Sequence, residues 1–354
     1  MALSAAQRTL FEKARRSGSG GQAVGLSDTA TNAIVAIVAR DLGLDHPLRA
    51  QEGELVPFYA SDPSGLQLTS TTLPLEAFTD LIAAGPPNTD TYFACLATIH
   101  KARLKYERIV ATQPVPTFEQ VGPRGLLQYG TVDTGALTGL LFLRKWMFDI
   151  DNRAAQETGY LFEPIIAAAI GGVPLSAKKS PVKRSGGSGG RQVDCLLGDR
   201  AYELKLRVTI AASGQGRWGE ELSFPAEAKE CGYTPALLVL DSTENDKLTE
   251  LTAAFEDAGG MAYVGDAAWQ HLEDEAGETM STFLEKYVRH PMQDLLAAVT
   301  DELPPMTLTL EGHVVSFKMG DHVLEIQRET GLGELDEEEE AGLPDDVDEG
   351  LPGL

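Results

Sequence analysis

The sequence predicts a mixed α/β (α+β) protein: a mixed central sheet flanked by helices, preceded by a helix-rich N-terminal region. Three stretches carry this expectation. Residues 191–208 (RQVDCLLGDRAYELKLRV) read as two short strands around a tight turn, with Val193, Cys195 and Leu197 alternating with Asp194 and Leu196. Pro235 to Asp241 (PALLVLD) is a continuous apolar run of the kind found in a strand covered on both faces. An amphipathic segment at 245–259 and a short apolar stretch at 261–264 follow it. Strand, helix and strand in that order predict a right-handed crossover inside a mixed sheet.

The N-terminal elements follow from helical spacing and local breakers. Residues 1–17 predict a short amphipathic helix that ends at the Gly/Ser run Ser17–Gly21. Residues 28–43 predict a helix with Asp28 or Thr29 as cap and Ile34, Ile37 and Val38 on one face. Residues 46–75 read as loops and strands, and 75–84 and 90–110 as helices. The second of these carries His100, Lys101, Arg103, Lys105 and Arg108, which fit a solvated face or, alternatively, a phosphate-contacting one. Residues 111–130 read as a connection. Residues 134–150 predict an apolar helix, and 151–172 another, with Phe162, Ile165, Ile166 and Ala169 as its buried stripe.

Past the crossover, 267–276 predicts a helix and 278–299 a helix bent at Pro291. Residues 306–326 predict strands around a Met-Gly-Asp turn. The division expected is 1–126, helix-rich, with a DNA-binding or dimerisation role; 127–304, the core; 305–327, a β-hairpin; and 328–354, an acidic tail too polar to fold.

Composition narrows the function. The 354 residues carry a formal charge of −24, which argues against a generally nucleic-acid-binding surface. Eleven of the acidic residues and no Lys or Arg lie in 329–354, leaving −13 for residues 1–328. Any nucleic-acid contact must therefore use a local basic cleft. The three cysteines, Cys95, Cys195 and Cys231, show no zinc spacing, and such sparse use fits a reducing cytoplasm. The N-terminus lacks the apolar core of a signal peptide, and no run of about 18 apolar residues suggests a membrane span.

The hairpin holds the chemistry. Gly198-Asp199 suits a two-residue turn with Gly supplying positive φ, which pairs Leu197 with Arg200. Counting back then sets Asp194 opposite Glu203. Two like charges facing across a sheet destabilise it, so either a cation lies between them or the register differs. Lys205 shares the face of Glu203. Asp, then Glu-x-Lys, resembles the PD-(D/E)xK nucleases, with Val193 in place of the first-position proline. Alone, the motif also fits a hairpin with charges on its wet face.

The flanking segments add to it. Glu163, beside Pro164 at the edge of the apolar stripe, reads either as a salt-bridge partner of Arg153 or a cap, or as a third acidic group at a metal site, since many nucleases of this superfamily carry one on the helix before the hairpin. Residues 173–193 contain Lys178, Lys179, Lys183, Arg184 and Arg191 and no acidic residue. They form either a mobile exposed loop or a phosphate-binding flap ordered on DNA. In the Gly-rich 211–219, Gln215 and Arg217 are base-reading residue types; a simple turn is the alternative.

Longer strings are more specific than the motif. RAAQETGYLFEPIIAAAIGG, YELKLRVTIAASGQGRWGEELSFP and LLVLDSTENDKL make residues 127–292 resemble the ApaLI-like family of type II restriction endonucleases. The resemblance implies a restriction-endonuclease-like core and a homodimer that cuts double-stranded DNA at a short palindrome; the family's namesake site is GTGCAC. It also implies a cognate DNA methyltransferase in the same system. Asp194 and Glu203 then supply carboxylates for Mg2+, with the Leu204 carbonyl as a third oxygen. Glu163 positions Lys205 or helps hold an ion. Lys205 orients or deprotonates the attacking water, or stabilises charge developing on the phosphate. The alternatives are another PD-(D/E)xK nuclease (repair, junction-resolving or modification-dependent) and a non-catalytic DNA-binding protein.

Overall fold

The computed structural model describes residues 2–17, 24–49, 55, 57–60, 62–129, 135–186, 189–206, 215–297 and 304–328. The acidic tail from Glu329 and the Gly-rich 211–214 lie outside the described residues. So do the side chains of Gln215 and Arg217.

The N-terminal region is helical, as expected. α1 (Ala5–Arg15) opens on a capping box in which Gln7 N donates to Ser4 Oγ at 3.2 Å and Ser4 N donates to Gln7 Oε1 at 3.0 Å. α2 (Asp28–Asp41) is capped by Ser27, one residue before the expected caps, whose Oγ accepts the Ala30 amide. Its residues Ala30 to Ala39 are all buried, so α2 is the centre of the helical layer rather than one of its faces. α3 (Pro74–Ala84) and α4 (Thr89–Thr112) enclose it. The described part of 46–75 forms turns, including a 3-10 turn at Pro63–Gly65, and no strand.

Two helices depart from the sequence expectation. α5 (Phe118–Tyr129) occupies much of the presumed connection and tolerates Pro123 internally. α6 (Gly135–Ala169) joins both expected helices into one of 35 residues, and it continues through Pro164. A helical proline forfeits one donor and crowds one carbonyl. Here the burial of Ile165, Ile166, Ala167 and Ala169 just beyond it compensates. At 1.5 Å per residue α6 spans roughly 50 Å, and it packs on the C-terminal strands through Trp146 and Ile150 and on the strands of the hairpin region further along.

The five-stranded sheet has the order β1 (Val173–Leu175), β2 (Val193–Leu197), β3 (Arg200–Lys205), β4 (Thr234–Val239), β5 (Met261–Val264). The first two pairings are antiparallel and the last two parallel. Leu197 pairs with Arg200 across Gly198, at φ 59°, so the predicted turn holds, and the register holds from there to Cys195 opposite Tyr202, one pair short of Asp194 and Glu203. α7 (Gln215–Glu230) and α8 (Asp246–Asp257) cover one face through Phe224, Leu251 and Phe255. α6 and α9 (Asp266–Leu284) cover the other. On that side one hydrophobic cluster runs without interruption from Leu10 and Phe11 through Ile166, Tyr202 and Leu238 to Phe283. The N-terminal helices thus share their core with the sheet.

α9 breaks at Gly277 (φ 66°), where two helices join, between the two helices expected at 267–276 and 278–299. Before Pro291, residues Glu285–Arg289 widen into a π-turn that leads into α10 (His290–Ala297). Pro291 has no amide for the Tyr287 carbonyl; that carbonyl accepts the Tyr59 hydroxyl at 2.7 Å instead. The C-terminal element is a three-stranded antiparallel sheet, one strand more than a hairpin: β6 (Met306–Glu311), β7 (Val314–Met319) and β8 (His322–Gln327). Val315 and Phe317 pack on Trp146 and Ile150 of α6. Among the described residues no helix is long and apolar enough to cross a membrane.

Candidate active site

On β3, Tyr202 and Leu204 enter the cluster under α6 and α9. Alternation along the strand therefore sends Glu203 and Lys205 to the opposite face, where α7 lies. Lys205 Nζ sits 3.1 Å from Glu203 Oε1, as the shared face required. The partner from α7 is Glu221, whose Oε2 lies 3.4 Å from the same ammonium.

Asp194 stands on β2 at the point where the ladder gives way. Its Oδ2 accepts the Leu204 amide at 2.9 Å, replacing a strand-to-strand bond with a side-chain one. The carboxylate is thereby held at the edge of β3. The Lys205 carbonyl accepts from Leu240 N on the β4 side. Carbonyls alternate along a strand, so that of Leu204 is directed to the β2 edge, where Asp194 is.

Charge is crowded here. Asp194 is 7% exposed; burial first, then Glu203 and Glu163, raise its carboxyl well above the usual carboxylate range, against the Leu204 amide and Lys205. Glu163 reaches this group from α6. Burial and then Glu203 push it up to about 7, opposed by Lys205. Arg153, its presumed salt-bridge partner, donates to Gln113 Oε1 at 3.0 Å. Burial acts against the Lys205 ammonium, but Glu203, Glu221 and Asp194 outweigh it and hold the group above its ordinary value.

Four carboxylates thus surround one ammonium in a largely buried setting. Coulomb repulsion among them is severe at low dielectric. Among the described residues no group of three His, Cys, Asp or Glu side chains already forms a metal cage. The donor chemistry nonetheless suits a hard divalent cation: oxygen atoms only, with excess negative charge. Glu203 is engaged by Lys205, which leaves the set gathered but not closed.

The model for the ApaLI-like restriction endonucleases matches residues 75–289. The chain belongs to the ApaLI-like restriction endonuclease family. The type II restriction enzyme ApaLI of Acetobacter pasteurianus is 44% identical over 322 residues, covering 83% of this chain and 86% of that one. No solved structure matches. The ApaLI-like segment starts well before residue 127. It takes in α3 and α4 as well as the whole sheet, in keeping with the shared core.

The basic segment before Asp194 is built into the fold of this ApaLI-like chain. Lys183 bridges to Gly190, Arg191 N donates to Val182 O at 2.8 Å, and Ser185 N donates to Glu227 Oε1 at 2.9 Å. Arg191 departs from the expected phosphate contact. It is buried, with Nη1 3.5 Å from Glu227 Oε2, its other nitrogen donating to the Glu220 carbonyl, and its guanidinium over Phe224. Arg184 pairs with Glu220 at 2.7 Å, and Lys183 Nζ donates to Ser180 O. Lys178 and Lys179 are exposed. Gln215 and Arg217 begin α7, but their side chains lie outside the described residues.

Glu221 escaped the sequence reading. Beside Glu220 in a polar helix start it looks like a solvated surface residue, and nothing in its spacing from Lys205 signals contact. Only the packing of α7 over the β3 edge reveals it.

Proposed function

We propose that this chain is a type II restriction endonuclease that hydrolyses phosphodiester bonds of double-stranded DNA at a short palindromic sequence, GTGCAC or a relative of it. Family membership and the convergence of Asp194, Glu203 and Lys205 at one strand edge support this reading. That convergence carries it, since a hairpin with merely solvated charges would not bury them together.

Type II restriction enzymes generally need a divalent metal, and we take Mg2+ as the ion here. Asp194, Glu203 and the Leu204 carbonyl would hold it, with Glu163 as a further carboxylate. When bound it would supply charge relief on the phosphoryl oxygens and an acidified water. Lys205 enters as an ammonium, because its carboxylate neighbours keep it protonated. Its part is to donate to the attacking water or to the phosphate as charge develops, rather than to remove a proton. Lys178 and Lys179 supply phosphate affinity at the rim. Residues 1–126 serve DNA binding or dimerisation, and a homodimer presents one site to each strand of the palindrome. A methyltransferase protecting the same sequence completes the system.

Digestion of a plasmid of known sequence with magnesium, followed by sequencing of the ends, tests the proposal. Discrete fragments whose ends share one palindrome support it. Cleavage only of junctions or of methylated DNA, or no cleavage with any divalent ion, contradicts it.

A further inference from the structure

Lys205 has two anionic neighbours, and one of them is needed elsewhere. Glu203 Oε1 is 3.1 Å away on the same strand, and Glu221 Oε2 is 3.4 Å away on α7. The Lys205 side chain is only 19% exposed, so water does not substitute freely for a lost counter-charge, and an unpaired ammonium there is costly. A carboxylate that ligates a cation cannot also serve as the full counter-ion of an amine. Glu203 would therefore give up part of its hold on Lys205 if it held a metal. Glu221 remains, since it approaches from a different element.

We propose that Glu221 is a positioning residue for the cleavage reaction: it holds the Lys205 ammonium from the α7 side while Glu203 is engaged with the metal. It touches neither phosphate nor metal and acts through Lys205. The anchoring of α7 fits such a role. Glu227, further along the same helix, receives Arg191 and Ser185 N, and Glu220 receives Arg184. The helix is thus fastened to the segment that leads into Asp194, so that Glu221, Lys205 and Asp194 keep a common frame.

This rests on the nuclease function proposed above. A positioning carboxylate near a scissile phosphate has a signature that a purely structural residue lacks. Its removal slows the chemical step, yet relieves repulsion toward DNA. The test compares wild type, Glu221→Gln and Glu221→Asp. Single-turnover cleavage is measured on a duplex bearing the sequence the wild type cuts, along with affinity for the same duplex in calcium, magnesium dependence and Tm.

Expected for Glu221→Gln is cleavage slower by about tenfold or more, which corresponds to about 1.4 kcal/mol or more of lost transition-state stabilisation, with DNA affinity equal or tighter. The half-saturating magnesium concentration and Tm stay unchanged, and Glu221→Asp recovers most of the rate. Wild-type cleavage by Glu221→Gln overturns the inference. So does a slow rate accompanied by weaker DNA binding or a lower Tm, which marks a structural role, or by a raised magnesium requirement, which marks a ligand. Wild-type protein that cuts no DNA at all removes the nuclease function itself, and the positioning role with it.

Discussion

Asp194 and Leu204 are joined by a hydrogen bond that takes the place of a strand ladder: the carboxylate accepts the Leu204 amide at 2.9 Å. One contact sets the site. It fixes the aim of a buried carboxylate and places it beside the edge to which the Leu204 carbonyl is directed. It also brings β2 to the strand that bears Glu203 and Lys205. The remaining groups come from α6 and α7, the helices that cover the two faces of the sheet.

Glu163 gives a pH dependence to the metal-free protein. Its carboxyl is raised from 4.5 to about 7 in the fold, so folding favours its protonated form. The stabilisation is complete below pH 4.5 and is lost as pH rises through about 7. Glu163→Gln removes that loss. In chelator the variant should match wild type near pH 4.5 and exceed it at pH 8, by up to about 3 kcal/mol. Chemical denaturation at the two pH values measures this; equal stability at pH 8 counts against a strained Glu163.

Arg191 should behave as a structural residue. Arg191→Ala leaves Glu227 buried without its cation, a loss of roughly 3–5 kcal/mol for a pair of this kind. Thermal melting should show a marked drop in Tm. An unchanged Tm with weakened DNA binding would return Arg191 to the phosphate-contacting set.

Lys178 and Lys179 should behave oppositely. They are exposed, so replacing both with Ala should leave Tm within error. The slope of log affinity against log salt should fall by about 0.9 per lost phosphate contact. An unchanged slope would place the DNA elsewhere.

The hairpin was readable in the sequence because its information is local. Gly198 fixes the turn, and the turn fixes the register as far as Cys195 opposite Tyr202; beyond that pair Asp194 is held through its side chain on Leu204. The apolar run of β4 and the crossover to β5 were readable for the same reason. What escaped depends on packing. Pro164 and Pro123 signal breaks, yet α6 and α5 run through them because tertiary burial outweighs one missing donor. Arg191 looked like a DNA contact within a run of cations until Glu227, from another helix, met it. Glu221 gave no signal at all, since its meaning lies in the distance from α7 to β3.

The most direct measurement is plasmid cleavage in magnesium by Lys205→Ala and Asp194→Ala, beside wild type and with DNA binding followed in parallel. The account predicts that both variants bind the cognate duplex and fail to cut it. Cleavage at the wild-type rate by either variant would contradict it.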